Sequence, residues 1–125
     1  MDYQGKVLFV DLTTQRMREE EVPEVLVRSL LGGRGINMYY LYKMLPPGTD
    51  PLSPENPLIM GLGLLTGTKA PSTSRFNITA KSPESLILGD SNIGGHWPAS
   101  IRDAGYQYLI FTGRSEKPVY LHLEK

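Results

Sequence analysis

RFNITAKSPESLILGDSNIGG, residues 75–95, sets two runs of strand-forming residues around a Ser-Pro pair. Phe76, Ile78 and Ala80 alternate with Arg75, Asn77, Thr79 and Lys81, the period-two pattern of a strand. ESLILGDSN (84–92) reads as the return strand, and KSPE (81–84) puts Pro83 where a type I turn accepts it. If Lys81 pairs with Glu84, Arg75 falls opposite Asp90; a slip of one sets it against Gly89 or Ser91. In each register Arg75 reaches the mouth of DSNIGG (90–95).

Outward from this hairpin, KVLFVDL (6–12) is apolar on both faces and predicts a buried strand, with RMREEEV (16–22) returning as an exposed one. Pro23 opens a helix over PEVLVRSLL, and GGRG (32–35) ends it with residues that tolerate left-handed backbone. INMYYLYKML follows as a second helix, with Ile36, Tyr39, Tyr40 and Lys43 at helical spacing. PPGTDPLSPENP is a proline-dense loop, LIMGLG a short buried strand and LLTGTKAPSTS a loop of small polar residues. PASIRDA makes a two-turn helix with Gly105 just past its end. YQYLIFTG and KPVYLHLE are expected to close the chain as a hairpin around RSEK. Two strands, two helices and then mostly strands predict an α+β fold, β-rich and largely antiparallel, with a few short helices.

The 125 residues fit a single domain, 1–125. Thirteen basic residues balance thirteen acidic ones, which gives no support to a nucleic-acid or anionic-membrane partner. The chain has no cysteine, so it offers no thiolate zinc site and no iron–sulfur ligand, and its composition suits the cytoplasm. MDYQGKVLFVDL does not read as a signal peptide, and no apolar run is long enough to span a bilayer.

One corner has the makings of an anion site. The Arg75 guanidinium suits a phosphate, and Gly94 and Gly95 let backbone N–H groups come close to a ligand. The helix after them turns its N-terminus to the same place, and Asn92 offers an amide and a carbonyl oxygen to a heterocycle or to Mg²⁺. Each feature also has a plain structural reading. The glycines serve a loop, Arg75 and Asp90 form a cross-strand ion pair, and GGRG is a helix–helix corner without the P-loop Lys-Ser/Thr. His96 alone is no metal site, His122 alternates within the expected last strand, and Trp97 anchors a core or an interface.

GKVLFVDLTTQ, LLGGRGINMYYLY, DPLSPENPLIMGLGLLTGTKAPSTSRFNITAKSP, DSNIGG and AGYQYLIFTGRSEKPVYL together resemble the N-terminal domain of the aldehyde ferredoxin oxidoreductase family. The resemblance runs the length of the chain. It implies a β-rich base that cradles a tungsten (sometimes molybdenum) bis-pterin cofactor with Mg. Later domains, absent here, would supply a [4Fe–4S] cluster and the acid–base residues that oxidise an aldehyde to a carboxylate, with electrons passing to ferredoxin. By this resemblance Arg75, Ser91, Asn92, Gly94 and Gly95 contact the pterin, and the Asn92 backbone carbonyl is a magnesium ligand. No catalytic residue is assigned. The resemblance departs at Ile93, where many relatives have a small or hydroxylated residue, so no side-chain contact is carried over to that position. The chain then belongs to the first part of a pterin-binding domain in a longer enzyme, and on its own is expected to be inert and to self-associate. The rival expectation is a stand-alone module that uses the same fold to bind another phosphorylated ligand or as a scaffold.

Overall fold

The computed structural model describes residues 5–124. Six strands form one mixed sheet: β1 (Lys6–Asp11), β2 (Arg16–Glu21), β3 (Leu58–Leu62), β4 (Arg75–Lys81), β5 (Leu88–Gly94) and β6 (Tyr106–Thr112). Their order across the sheet is β2-β1-β6-β3-β4-β5. β1 and β6 run parallel, and every other neighbouring pair is antiparallel. The expected α+β architecture is therefore present.

Helices α1 (Glu24–Leu30) and α2 (Arg34–Met44) are joined by the glycine corner, and α3 (Trp97–Asp103) precedes β6. Two cores result. One joins Val7, Val22, Ile59, Tyr108 and Ile110 of the sheet region to Val27 of α1 and to Ile36 and Leu41 of α2. The second, around Leu8, Val10, Leu62, Phe76 and Leu109, packs against Ile101 of α3. Because the sheet is covered on both faces, β1 is apolar from Val7 to Val10, whereas the edge strand β2 is exposed and mostly charged, which helps an edge resist mispairing.

The structure corrects the sequence reading in three places. First, residues 117–124 form no strand. β6 lies between β1 and β3, so both of its edges are already hydrogen-bonded and neither is open to a hairpin partner. Leu121 and Leu123 pack on the second core instead, and the exposed His122 pairs with Glu124 at 3.3 Å. Second, the β4–β5 connection is not a tight turn at KSPE. It spans residues 82–87, closed by Ser82 N–H donating to the Ile87 carbonyl (2.8 Å), with Leu86 at φ 61°. The longer turn moves the register by four residues, so Arg75 faces Gly94 and Asp90 faces Thr79. Third, the left-handed backbone after α1 begins at Leu31 (φ 64°), and the two glycines extend it.

Candidate functional site

A register shift of four is even, and side chains alternate with a period of two. Arg75 therefore keeps the face that the Lys81–Glu84 pairing gave it, the one it shares with Asn92, whereas a slip of one would have turned it to the other. That face carries Arg75, Asn77 and Thr79 from β4, and Asp90, Asn92 and position 94 from β5. Ser91 and Ile93 point to the opposite face with Ile78 and Phe76. Of the five residues singled out from the sequence, Arg75, Asn92 and Gly94 share one face and Gly95 adjoins it. Ser91 enters only through its backbone, its carbonyl lying 3.1 Å from Asn77 Nδ2.

The backbone of Arg75 is firmly held. Its carbonyl accepts from Gly63 N–H at 3.2 Å and lies 2.8 Å from the hydroxyl of the buried Thr66. That hydroxyl is also 2.9 Å from the Thr73 carbonyl, so the loop of small polar residues folds around the start of β4. Arg102 of α3 braces the same loop through the Leu64 carbonyl at 3.3 Å. The Arg75 side chain is exposed, and its guanidinium enters none of the ion pairs among the described residues.

The expected Arg75–Asp90 pair does not form. Asp90 Oδ2 instead accepts from Asn77 Nδ2 at 2.9 Å and from Arg34 Nη1 at 3.4 Å. Arg34 is the first residue of α2, so the glycine corner delivers a second guanidinium to this edge. The corner is pinned there by Gly33 N–H, which donates to the Leu62 carbonyl at 2.9 Å. Behind it the Tyr108 phenol is raised above its ordinary pKa by burial, against a smaller lowering from the Gly33 backbone, so it stays protonated.

Gly94 and Gly95 border open space. A Cβ at position 94 would meet only the Ser74 carbonyl, at 3.5 Å, and one at position 95 would meet nothing within 4 Å. Gly95 also has φ 93°, a conformation that side chains disfavour, and its carbonyl accepts from the Ser74 hydroxyl. α3 has only seven residues and no side-chain cap, so its dipole adds little to the site. His96 is exposed, and Trp97 leans on Phe76 with ring centroids 5.2 Å apart.

Sequence reasoning missed the support beneath this face. Asn37, fully buried on α2, places its Nδ2 2.9 Å from the Asn77 carbonyl and 3.1 Å from Asn77 Oδ1. Thr79 donates to the same Oδ1 at 2.6 Å. The available signal was an asparagine beside Ile36 and one turn before Leu41, on the inward side of a helix.

A chelated, phosphorylated ligand fits this donor set. An unpaired guanidinium, open glycine backbone and carbonyl oxygens suit phosphate and a hard cation. Among the described residues no group of three or more His, Cys, Asp or Glu side chains could hold a metal. No described helix is long and apolar enough to cross a membrane. A cleft of about 710 Å³ opens elsewhere, between Val10, Met60, Leu109, Phe111 and Tyr120. Its walls are mostly apolar and include no Arg, Lys or His, so it is no rival for an anion.

The family model for the aldehyde ferredoxin oxidoreductase N-terminal domain matches residues 7–125. The tungsten-containing aldehyde ferredoxin oxidoreductase of Pyrococcus furiosus is 42% identical over 120 residues, which are 96% of this chain and 20% of that protein. The Thermococcus kodakarensis enzyme of the same name matches to the same extent. An aliphatic sulfonate oxidoreductase, WOR-like subunit, of P. furiosus is 36% identical over 97% of the chain and 20% of its own length. Among solved structures, the active site complex BamBC of benzoyl coenzyme A reductase, with 1,5-dienoyl-CoA, superposes with a TM-score of 0.88 and 37% identity. The superposition covers 90% of this chain and 17% of that one. The chain thus spans about a fifth of the length of the curated relatives it matches. A family match across nearly all of its residues, on a fold that superposes this closely, makes the chain a member of the aldehyde ferredoxin oxidoreductase family, carrying that family's N-terminal domain.

Proposed function

We propose that this chain is the cofactor-cradling part of a tungsten-dependent (or molybdenum-dependent) aldehyde ferredoxin oxidoreductase. In that reading the bound bis-pterin metal supplies the redox chemistry that turns an aldehyde into a carboxylate. Arg75 would hold a pterin phosphate through its guanidinium. The Asn92 backbone carbonyl would be a ligand of the magnesium that accompanies the cofactor. Gly94 and Gly95 let the backbone approach the ligand without a side chain in the way. The [4Fe–4S] cluster needs ligands from outside this chain, which has no cysteine, and the ferredoxin contact is placed with them.

The supporting observation is the exposed Arg75 guanidinium, outside every ion pair of the described residues, on the face that carries Asn92 and opens at Gly94. In the complete enzyme, Arg75→Ala is expected to lower tungsten and pterin content about tenfold or more, the worth of a charge-assisted phosphate contact. Elemental and pterin analysis of the purified protein checks this, and wild-type content in the variant would reject the site.

The same reading makes the apolar cleft an internal surface of the longer protein. Leu58, Trp97, Val119 and Tyr120 border it and are 40–88% exposed here. Expressed alone, the chain is expected to self-associate through that surface and to lack aldehyde-dependent viologen reduction. A monomer by light scattering would contradict the first expectation, and turnover the second.

A further inference from the structure

We propose that Asn77 is a positioning residue that fixes the Asp90–Asn92 segment of β5 where the pterin phosphates and their magnesium meet it. This rests on the reading of the site given above. β5 is an edge strand, exposed from Asp90 to Gly94, with β4 as its single neighbour. Such a strand has one ladder to hold it and frays readily. Asn77 adds a side-chain clamp. Its Nδ2 lies 2.9 Å from Asp90 Oδ2, 3.1 Å from the Ser91 carbonyl and 3.3 Å from Asn92 Oδ1. One amide thus reaches three consecutive residues of the strand, including the residue whose carbonyl is assigned to magnesium.

The clamp is itself fixed from behind. Asn77 is 3% exposed, and its Oδ1 takes the Thr79 hydroxyl at 2.6 Å and Asn37 Nδ2 at 3.1 Å. Turning the amide over would set its NH₂ against the NH₂ of Asn37, so the orientation is determined: oxygen toward α2, nitrogen toward the ligand edge. Asn37 repeats the grip on the Asn77 backbone carbonyl at 2.9 Å. A continuous polar path therefore runs from the buried side of α2, through β4, to the exposed edge. Together with Arg34, Asn77 also occupies the Asp90 carboxylate, which would otherwise repel a phosphate from this face.

The test compares four forms of the complete enzyme: wild type, Arg75→Ala, Asn77→Ala and Val22→Ala. Val22 is a buried core residue beyond β2, at the far edge of the sheet, and its truncation reports loss of stability without touching the network. Pterin retained through gel filtration in EDTA is measured beside the thermal midpoint. The expected result is about tenfold faster pterin loss in Asn77→Ala, the scale of one lost buried hydrogen bond, with wild-type retention in Val22→Ala at a similar midpoint. If Arg75→Ala loses pterin but Asn77→Ala behaves like Val22→Ala, the positioning role is overturned and the site stands. If Arg75→Ala retains pterin, the site itself fails and the positioning role with it. Should Asn77→Ala not fold, Thr79→Val replaces it. This variant removes one of the two donors that orient Asn77 and is judged by the same comparison.

Discussion

Gly61→Ala is expected to destabilise the domain by about 3 kcal/mol, through overpacking and the loss of a buried amide's partners. Gly61 lies in β3, opposite Asn77 on one side and Tyr108 on the other. A Cβ there would sit 2.1 Å from Asn37 Oδ1, and 2.6 and 2.8 Å from two ring carbons of Tyr108. Both side chains are buried, so neither has free space to swing into. Asn37 Oδ1 already lacks a hydrogen-bond partner, and the missing side chain of Gly61 is what gives it room. If the oxygen is pushed aside, the Nδ2 on the same amide leaves Asn77 and Thr79.

Urea denaturation measures the loss directly. In an Asn37→Ala background the extra cost of Gly61→Ala is expected to shrink, because one of the two obstacles has gone while Tyr108 remains. A cost of about 0.5 kcal/mol or less in the native background, the range of an unremarkable surface change, would show that the close approach does not constrain this part of the fold.

Local pattern carried most of the architecture. β1 and β2, the loop before β3 and the alternation in β4 all follow from side-chain order, since strand period and proline placement are local physics. The failures are non-local. KPVYLHLE has strand composition, yet no composition reveals that β6 is already paired on both edges. The turn at 82–87 misled because Ser-Pro suits a tight turn as well as the start of a longer one. That Arg75, Asn92 and Gly94 come to one face was legible because side chains alternate along paired strands, whatever that face binds. The buried Asn37–Asn77–Thr79 network was not. Each member looks like an ordinary polar residue until α2 is laid over that face of β4, which turns its polar side inward.

Gly94→Val is expected to leave the fold intact and to cost the complete enzyme its pterin, with affinity falling about 100-fold or more as added side-chain atoms meet a filled contact surface. The backbone at position 94 is not among the left-handed glycines, and the new Cβ would touch only the Ser74 carbonyl at an ordinary 3.5 Å. Valine is also a better strand residue than glycine, so stability should hold or rise by about 0.5 kcal/mol. Gly95 is a poorer probe, because at φ 93° any side chain strains the backbone and confounds the two effects. By register the new side chain stands beside Arg75 on the ligand face. Retained stability with lost pterin, read by denaturation and pterin analysis of the same sample, separates a glycine kept for a ligand from one kept for packing. Gly61 is the packing case, two strands away in the same sheet. Full pterin content in Gly94→Val would mean that nothing approaches this backbone, and the open edge of β5 would need another explanation.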